Sequence, residues 1–93
     1  MLILEDRVRS WAPRTLGELV PEHFVEVMRA GPEAVELAIL GVGAGMAPPP
    51  RAVREAFRTA GIGFDLMDTV AACKLYNLLA AEGRRVAACL IAV

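Results

Sequence analysis

The sequence has one histidine, His23, and two cysteines, Cys73 and Cys89, with no C-x-x-C spacing. That shortage argues against a zinc site, which draws its ligands mainly from these two residue types. No nucleophile–histidine pair emerges, so no catalytic set and no cofactor motif is read. No apolar run approaches the ~20 residues that a membrane-spanning helix needs; the longest covers residues 86–93. The opening M-L-I-L-E-D-R meets charge early and lacks the pattern of a secretory signal. These absences read as a cytoplasmic protein without direct membrane insertion. Neither charge sign dominates: ten Lys and Arg stand against eleven Asp and Glu, for a net charge of −1. The basic residues are dispersed among the acids, without the strongly basic face of a nucleic-acid binder. Repeats and low-complexity segments are also lacking.

What is present is a globular composition, 56% hydrophobic and 23% charged. Ninety-three residues read as a single domain spanning 1–93. Much of the apolar share is alanine, which buries little area per residue. A domain of this size gains from further burial against a protein partner or in a homo-oligomer.

Residues 1–11 read as a short hairpin, with Asp6 at its turn and Trp11 at the end of its second strand. A loop over 12–19 leads to Pro21, which suits the first turn of a helix. Phe24, Val27 and Met28 recur at helical spacing, and Gly31-Pro32 stops that helix. His23 reads as a surface residue on it. Residues 35–40 read as the next strand, in which Leu37, Ala38, Ile39 and Leu40 form a continuous apolar run, as expected of a strand covered on both faces. The loop G-V-G-A-G-M-A-P-P-P follows. The next helix runs to about residue 60, with Val53, Ala56, Phe57 and Ala60 on one side and Gly61 as its stop. Residues 64–67 form a short strand. Asp68 or Thr69 caps a helix reaching residue 82, Gly83 closes it, and Arg84-Arg85 favour its negative end. Residues 86–93 form a buried strand. The order is hairpin, helix, then strand–helix–strand–helix–strand. It predicts an α/β three-layer sandwich with a central mixed, mostly parallel sheet that the hairpin extends or flanks.

Parallel strands deliver their C-terminal ends to one edge, where open α/β sheets place ligand crevices. The candidate cleft there combines Gly41, Gly43 and Gly45 with Asp68, Thr69, Lys74 and Asn77. Backbone N–H groups of the glycine loop suit an anion. However, the loop fits neither G-x-G-x-x-G nor the P-loop pattern, and a tight strand exit with glycines at positive φ explains it better than an anion site. Lys74 is the only lysine and shares a helix face with Asn77; the pair marks the exposed or cleft-facing stripe. Tyr76 points toward Cys73 and Ala80 as a packed ring. Cys73 and Cys89 sit mid-helix and mid-strand among alanine and leucine, and read as buried thiols.

The run M-D-T-V-A-A-C-K-L-Y-N-L-L-A-A-E-G-R-R-V-A-A resembles the Mth-domain family of uncharacterised bacterial and archaeal proteins. The family pattern, roughly M-D-T-x-A-A-x-[RK]-x-Y-N-x-L-x-x-E-x-R-x-V, falls on Met67, Asp68, Thr69, Ala71, Ala72, Lys74, Tyr76, Asn77, Leu79, Glu82, Arg84 and Val86. Gly41, Gly43, the prolines after them and Trp11 also match. The resemblance implies the three-layer fold and no established enzymatic activity. Eukaryotic relatives include mitochondrial respiratory complex I assembly factor 3 and the adipogenesis-associated Mth-domain protein. By that analogy the resemblance implies protein partners, respiratory-chain subunits among them. Members commonly carry a segment ahead of the hairpin. Lys74 stands where arginine is common, which weakens a bidentate anion contact.

Two readings follow from different classes. One is a non-enzymatic protein-interaction module, an assembly factor by resemblance. The other is a small-molecule or anion-binding domain with its site at the C-terminal strand edge. A third, a redox enzyme using Cys73, requires that thiol to be accessible.

Overall fold

Residues 1–5, 7–43 and 48–91 are described by the computed structural model. A short apolar run builds β1 (Leu2–Leu4) and Arg-Val-Arg builds β2 (Arg7–Arg9), paired antiparallel with Ile3 opposite Val8. Glu5, in the turn between them, takes the left-handed conformation at φ 51°; Asp6 lies outside the described residues. Trp11 falls after β2 rather than within it.

Pro21 opens a 3-10 turn, Pro21–Phe24, that leads into α1 (Val25–Ala34). Gly31 breaks α1 at φ 76° before Pro32. The expected stop is thus a kink followed by one further turn. The continuous apolar run opens β3 (Leu37–Val42), which starts and ends two residues later than expected and is almost wholly buried. Pro50 precedes α2 (Arg51–Ala60), which Gly61 ends in the left-handed conformation at φ 74°. Then come β4 (Gly63–Met67), α3 (Thr69–Ala81) and β5 (Val86–Ile91).

The sheet order is β2-β1-β5-β3-β4. β3 pairs parallel with both β4 and β5, and β1 joins β5 antiparallel, Leu2 opposite Cys89. The hairpin therefore extends the sheet, and β1 alone runs against the other four strands. Side-chain alternation divides the core between the two faces. Leu2, Leu4, Ala38, Leu40, Ala87 and Cys89 point to one face, under Phe24, Val27, Val53 and Phe57 of the 3-10 turn, α1 and α2. Ile39, Val86, Ala88 and Leu90 point to the other, under Ala72 and Tyr76 of α3. Helix, sheet and helix make the three layers that the sequence predicts.

Four aromatic rings hold the first face together. Phe24 meets Trp11, Phe57 and Phe64 edge-on at centroid distances of 5.5, 5.1 and 6.4 Å, and Phe57 stacks on Phe64 at 4.4 Å. The Trp11 indole N–H donates to the His23 carbonyl at 2.9 Å. His23 is half-buried, and its Nδ1 accepts from the Val20 N–H at 3.2 Å, so its ring helps to start the 3-10 turn.

Arg84 and Arg85 follow the end of α3, as the sequence suggests, but both turn to Glu36. Arg84 Nε and an Arg85 amino group donate to the two Glu36 carboxylate oxygens. The hydrogen bond from Arg84, seconded by that from Arg85, holds the Glu36 carboxyl below its usual value near 4.5. A carboxyl depressed on folding adds stability above its unfolded pKa, and that stability is lost as pH falls through the folded value. Glu36→Gln should therefore lower the thermal midpoint at neutral pH. The gap from the unmodified protein should close as pH falls below the usual carboxylate range. Midpoints measured across that pH series check this, with a small effect expected because the pair is partly exposed.

Candidate functional site

The C-terminal ends of β3 and β5 meet the start of α3, and Thr69 joins all three. Its N–H donates to the Gly43 carbonyl at 3.0 Å. The Gly43 N–H donates back to the Thr69 hydroxyl at 2.9 Å, and that hydroxyl donates to the Ile91 carbonyl at 2.5 Å. Thr69 is the one buried polar side chain among the described residues, and this exchange satisfies it. Asp68 is the cap that the sequence suggests: its carboxylate accepts from the Ala71 N–H at 2.8 Å.

The two described glycines of the candidate cleft do different jobs. Gly43 leaves β3 at φ 86°, which glycine adopts without the cost a side chain brings. Gly41 permits a close approach: a Cβ there would lie 3.0 Å from the Thr69 Cα and 3.0 Å from Leu90 Cδ2. One contact is backbone, so α3 itself would have to lift. Gly41→Ala should cost about 1–3 kcal/mol of stability, read as a lowered urea midpoint. Gly45 lies outside the described residues.

Asp68, Thr69, Gly41 and Gly43 are thus brought together, in contacts that fasten α3 to the sheet. Lys74 and Asn77 stand further along α3 and are both exposed, as the shared-face reading expects. Cys73 corrects the sequence reading, because it is exposed. The inward stripe of α3 is Thr69, Ala72 and Tyr76, and position 73 lies about 100° around the helix from position 72. Cys89 is buried as expected, and burial pushes its thiol up to about 12. The two thiols therefore differ sharply in reactivity. Tyr76 packs into the α3 core beside Ala80.

A groove that sequence reasoning missed lies alongside α3. It encloses about 450 Å³ between α3 and the β5–β1 part of the sheet, lined by Met1, Ile3, Thr69, Cys73, Tyr76, Asn77, Leu90 and Ile91. It exists because α3 covers β3 and β5 and leaves the hairpin bare, with Met1 and Val8 exposed. Of the cleft residues named from the sequence, only Thr69 and Asn77 line it. The signal for it was the β1–β5 pairing, which short apolar strands do not announce. Among the described residues no cluster of His, Cys, Asp and Glu is arranged to hold a metal ion, and no helix is long and apolar enough to cross a membrane.

Residues 1–91 match a protein family described as "Protein of unknown function (DUF498/DUF598)". An uncharacterised protein of Rhodobacter capsulatus is 36% identical over 64 residues, covering 69% of this chain and 52% of that protein. The chain thus spans about half the length of that curated relative. Among solved structures, the Rpa2829 protein of Rhodopseudomonas palustris aligns with a TM-score of 0.85 at 36% identity, over 99% of this chain and 67% of that one. A protein of Bordetella pertussis, described as a Mth938-like domain, aligns with a TM-score of 0.79 at 25% identity, over 97% of this chain and 71% of that one.

Proposed function

The chain belongs to the DUF498/DUF598 family of proteins of unknown function, the Mth-like domains, and on that premise we propose that it is a non-enzymatic protein-interaction module that docks through the outer face of α3. One observation carries the reading. From Thr69 to Ala81 the helix has a single charged residue, Lys74, and leaves Val70 and Leu78 54% and 57% exposed. A helix on the surface of a globular protein ordinarily turns a charged face to water. An apolar outer face next to a bare stretch of sheet marks a place where another protein completes the burial.

The resemblance to respiratory complex I assembly factor 3 extends this reading to partners among respiratory-chain subunits. The reading of the C-terminal edge as an anion or small-molecule site draws less support, since Asp68, Thr69 and Gly43 are engaged there in contacts within the fold.

Affinity capture of the tagged protein from its native lysate tests the proposal, with Val70→Glu/Leu78→Glu as the paired control. A stoichiometric partner recovered by the unmodified protein and lost by the double variant, at an unchanged unfolding midpoint, supports it. Identification of that partner as a subunit of the NADH–ubiquinone oxidoreductase supports the extension. Recovery of no stoichiometric partner overturns the interaction reading.

A further inference from the structure

We infer that Asp65 closes the outer edge of β4 to strand pairing with a second copy of this chain. β4 ends the sheet on the side away from the hairpin, and among the described strands it pairs with β3 alone. Unpaired N–H and C=O groups along such an edge are a template for another strand. Successive N–H groups along a strand point to opposite sides. The Gly63 N–H donates inward, to the Glu36 carbonyl at 3.0 Å, so those of Phe64 and Leu66 point outward. The Asp65 carboxylate turns back along the edge and accepts from the Leu66 N–H at 2.9 Å. The Phe64 N–H takes no such partner among the described residues.

Asp65 has no other evident task. Strands avoid aspartate, yet it is the middle residue of G-F-D-L-M, where it is exposed and the sole charge. It forms no ion pair with a basic side chain among the described residues. Its place matters most against a copy of itself. The antiparallel register that pairs this five-residue strand with itself along its whole length puts the two-fold axis at Asp65. Phe64 would then exchange hydrogen bonds with Leu66 of the second copy, and the Leu66 N–H that this needs is already engaged. The same register sets the two Asp65 residues opposite each other as a non-hydrogen-bonded pair, with Cα atoms ~4.5 Å apart and side chains at their closest. Like charges so placed repel. A strand from an unrelated protein meets only the first obstacle, whereas a second copy always meets both. Neither Val70 nor Leu78 belongs to this edge, so it is independent of docking through the outer face of α3.

Amide hydrogen exchange and the state of association together test this. In the unmodified protein, corrected for intrinsic rates, the Leu66 amide should exchange at least ~tenfold more slowly than the Phe64 amide on the same edge. Asp65→Ala should erase that difference and leave the inward Gly63 amide slow. Asp65→Thr removes the charge and supplies a residue that strands favour without adding an apolar surface. It should strengthen self-association at least ~tenfold, read by sedimentation equilibrium over a concentration series. In the associated variant the Phe64 and Leu66 amides should both become slow, which places the contact at β4. Should the threonine variant fail to fold, the exchange comparison in the unmodified protein still decides. Equal exchange of Leu66 and Phe64 in that protein overturns the inference. So does a folded Asp65→Thr variant that associates no more than the unmodified protein, or that associates with Phe64 still exchanging fast. Each of these results leaves the protein-docking proposal standing or falling on its own capture experiment.

Discussion

Phe24→Ala should lower the thermal midpoint by on the order of 20 °C and leave a substantial unfolded fraction at 37 °C. Phe24 is fully buried and meets three other rings, Trp11, Phe57 and Phe64. Truncating such a residue loses its transfer free energy and leaves a cavity, together about 3–5 kcal/mol. Total stability of a domain is only ~5–15 kcal/mol, and small domains sit at the low end. Each kcal/mol moves the midpoint of a 60–100-residue domain by roughly 4–8 °C. Trp11, the single tryptophan, packs edge-on against Phe24 and reports the transition by fluorescence. Phe24→Leu, which keeps most of the volume, should cost about 1.5 kcal/mol or less. Phe24 lies on the sheet face opposite α3. Any loss of partner or ligand binding in the alanine variant should therefore follow its unfolded fraction and vanish at temperatures where it is folded.

Thr69→Val should cost about 2–6 kcal/mol, although it exchanges one branched side chain for another of similar shape. The hydroxyl accepts from Gly43 and donates to Ile91. Its removal leaves a buried N–H and a buried carbonyl without their partner, each at about 1–3 kcal/mol. Thr69→Ser keeps the hydroxyl, and should retain most of the stability that valine loses. Urea unfolding of the two variants side by side checks the order: serine above valine means that the hydroxyl acts through its hydrogen bonds, whereas valine above serine means that packing of the methyl group dominates.

Much of the chain from residue 35 onward was legible in the sequence, for identifiable reasons. The apolar runs of β3 and β5, the Asp68 cap, and the stops at Gly61 and Gly83 are local signals. Each is decided by residues a few positions apart. The hairpin was legible too, but not that β1 would sit beside β5. That pairing joins Leu2 to Cys89 across nearly the whole chain, and no turn chemistry specifies it. The orientation of α3 was only half legible. Lys74 and Asn77 did mark its outer side. The remaining positions are almost all apolar, so the helix has little contrast between its faces and Cys73 was assigned to the wrong one. The groove follows from both gaps at once, because it lies where α3 ends laterally and the hairpin begins.

The position of β5 in the sheet also sets the order in which the protein can be assembled during synthesis. β5 is the last of the described strands in chain order, yet it lies between β1 and β3. Until residues 86–91 leave the ribosome, the hairpin has no strand to join, and β3 presents an open edge beside β4. The nascent chain therefore carries two unpaired strand edges and exposed apolar faces through most of its emergence. Non-local pairing of this kind slows folding because loop closure precedes the contacts that reward it. The fold is completed only when this middle strand inserts, so a ribosome stalled just short of Val86 would display an aggregation-prone intermediate in place of a nearly finished domain.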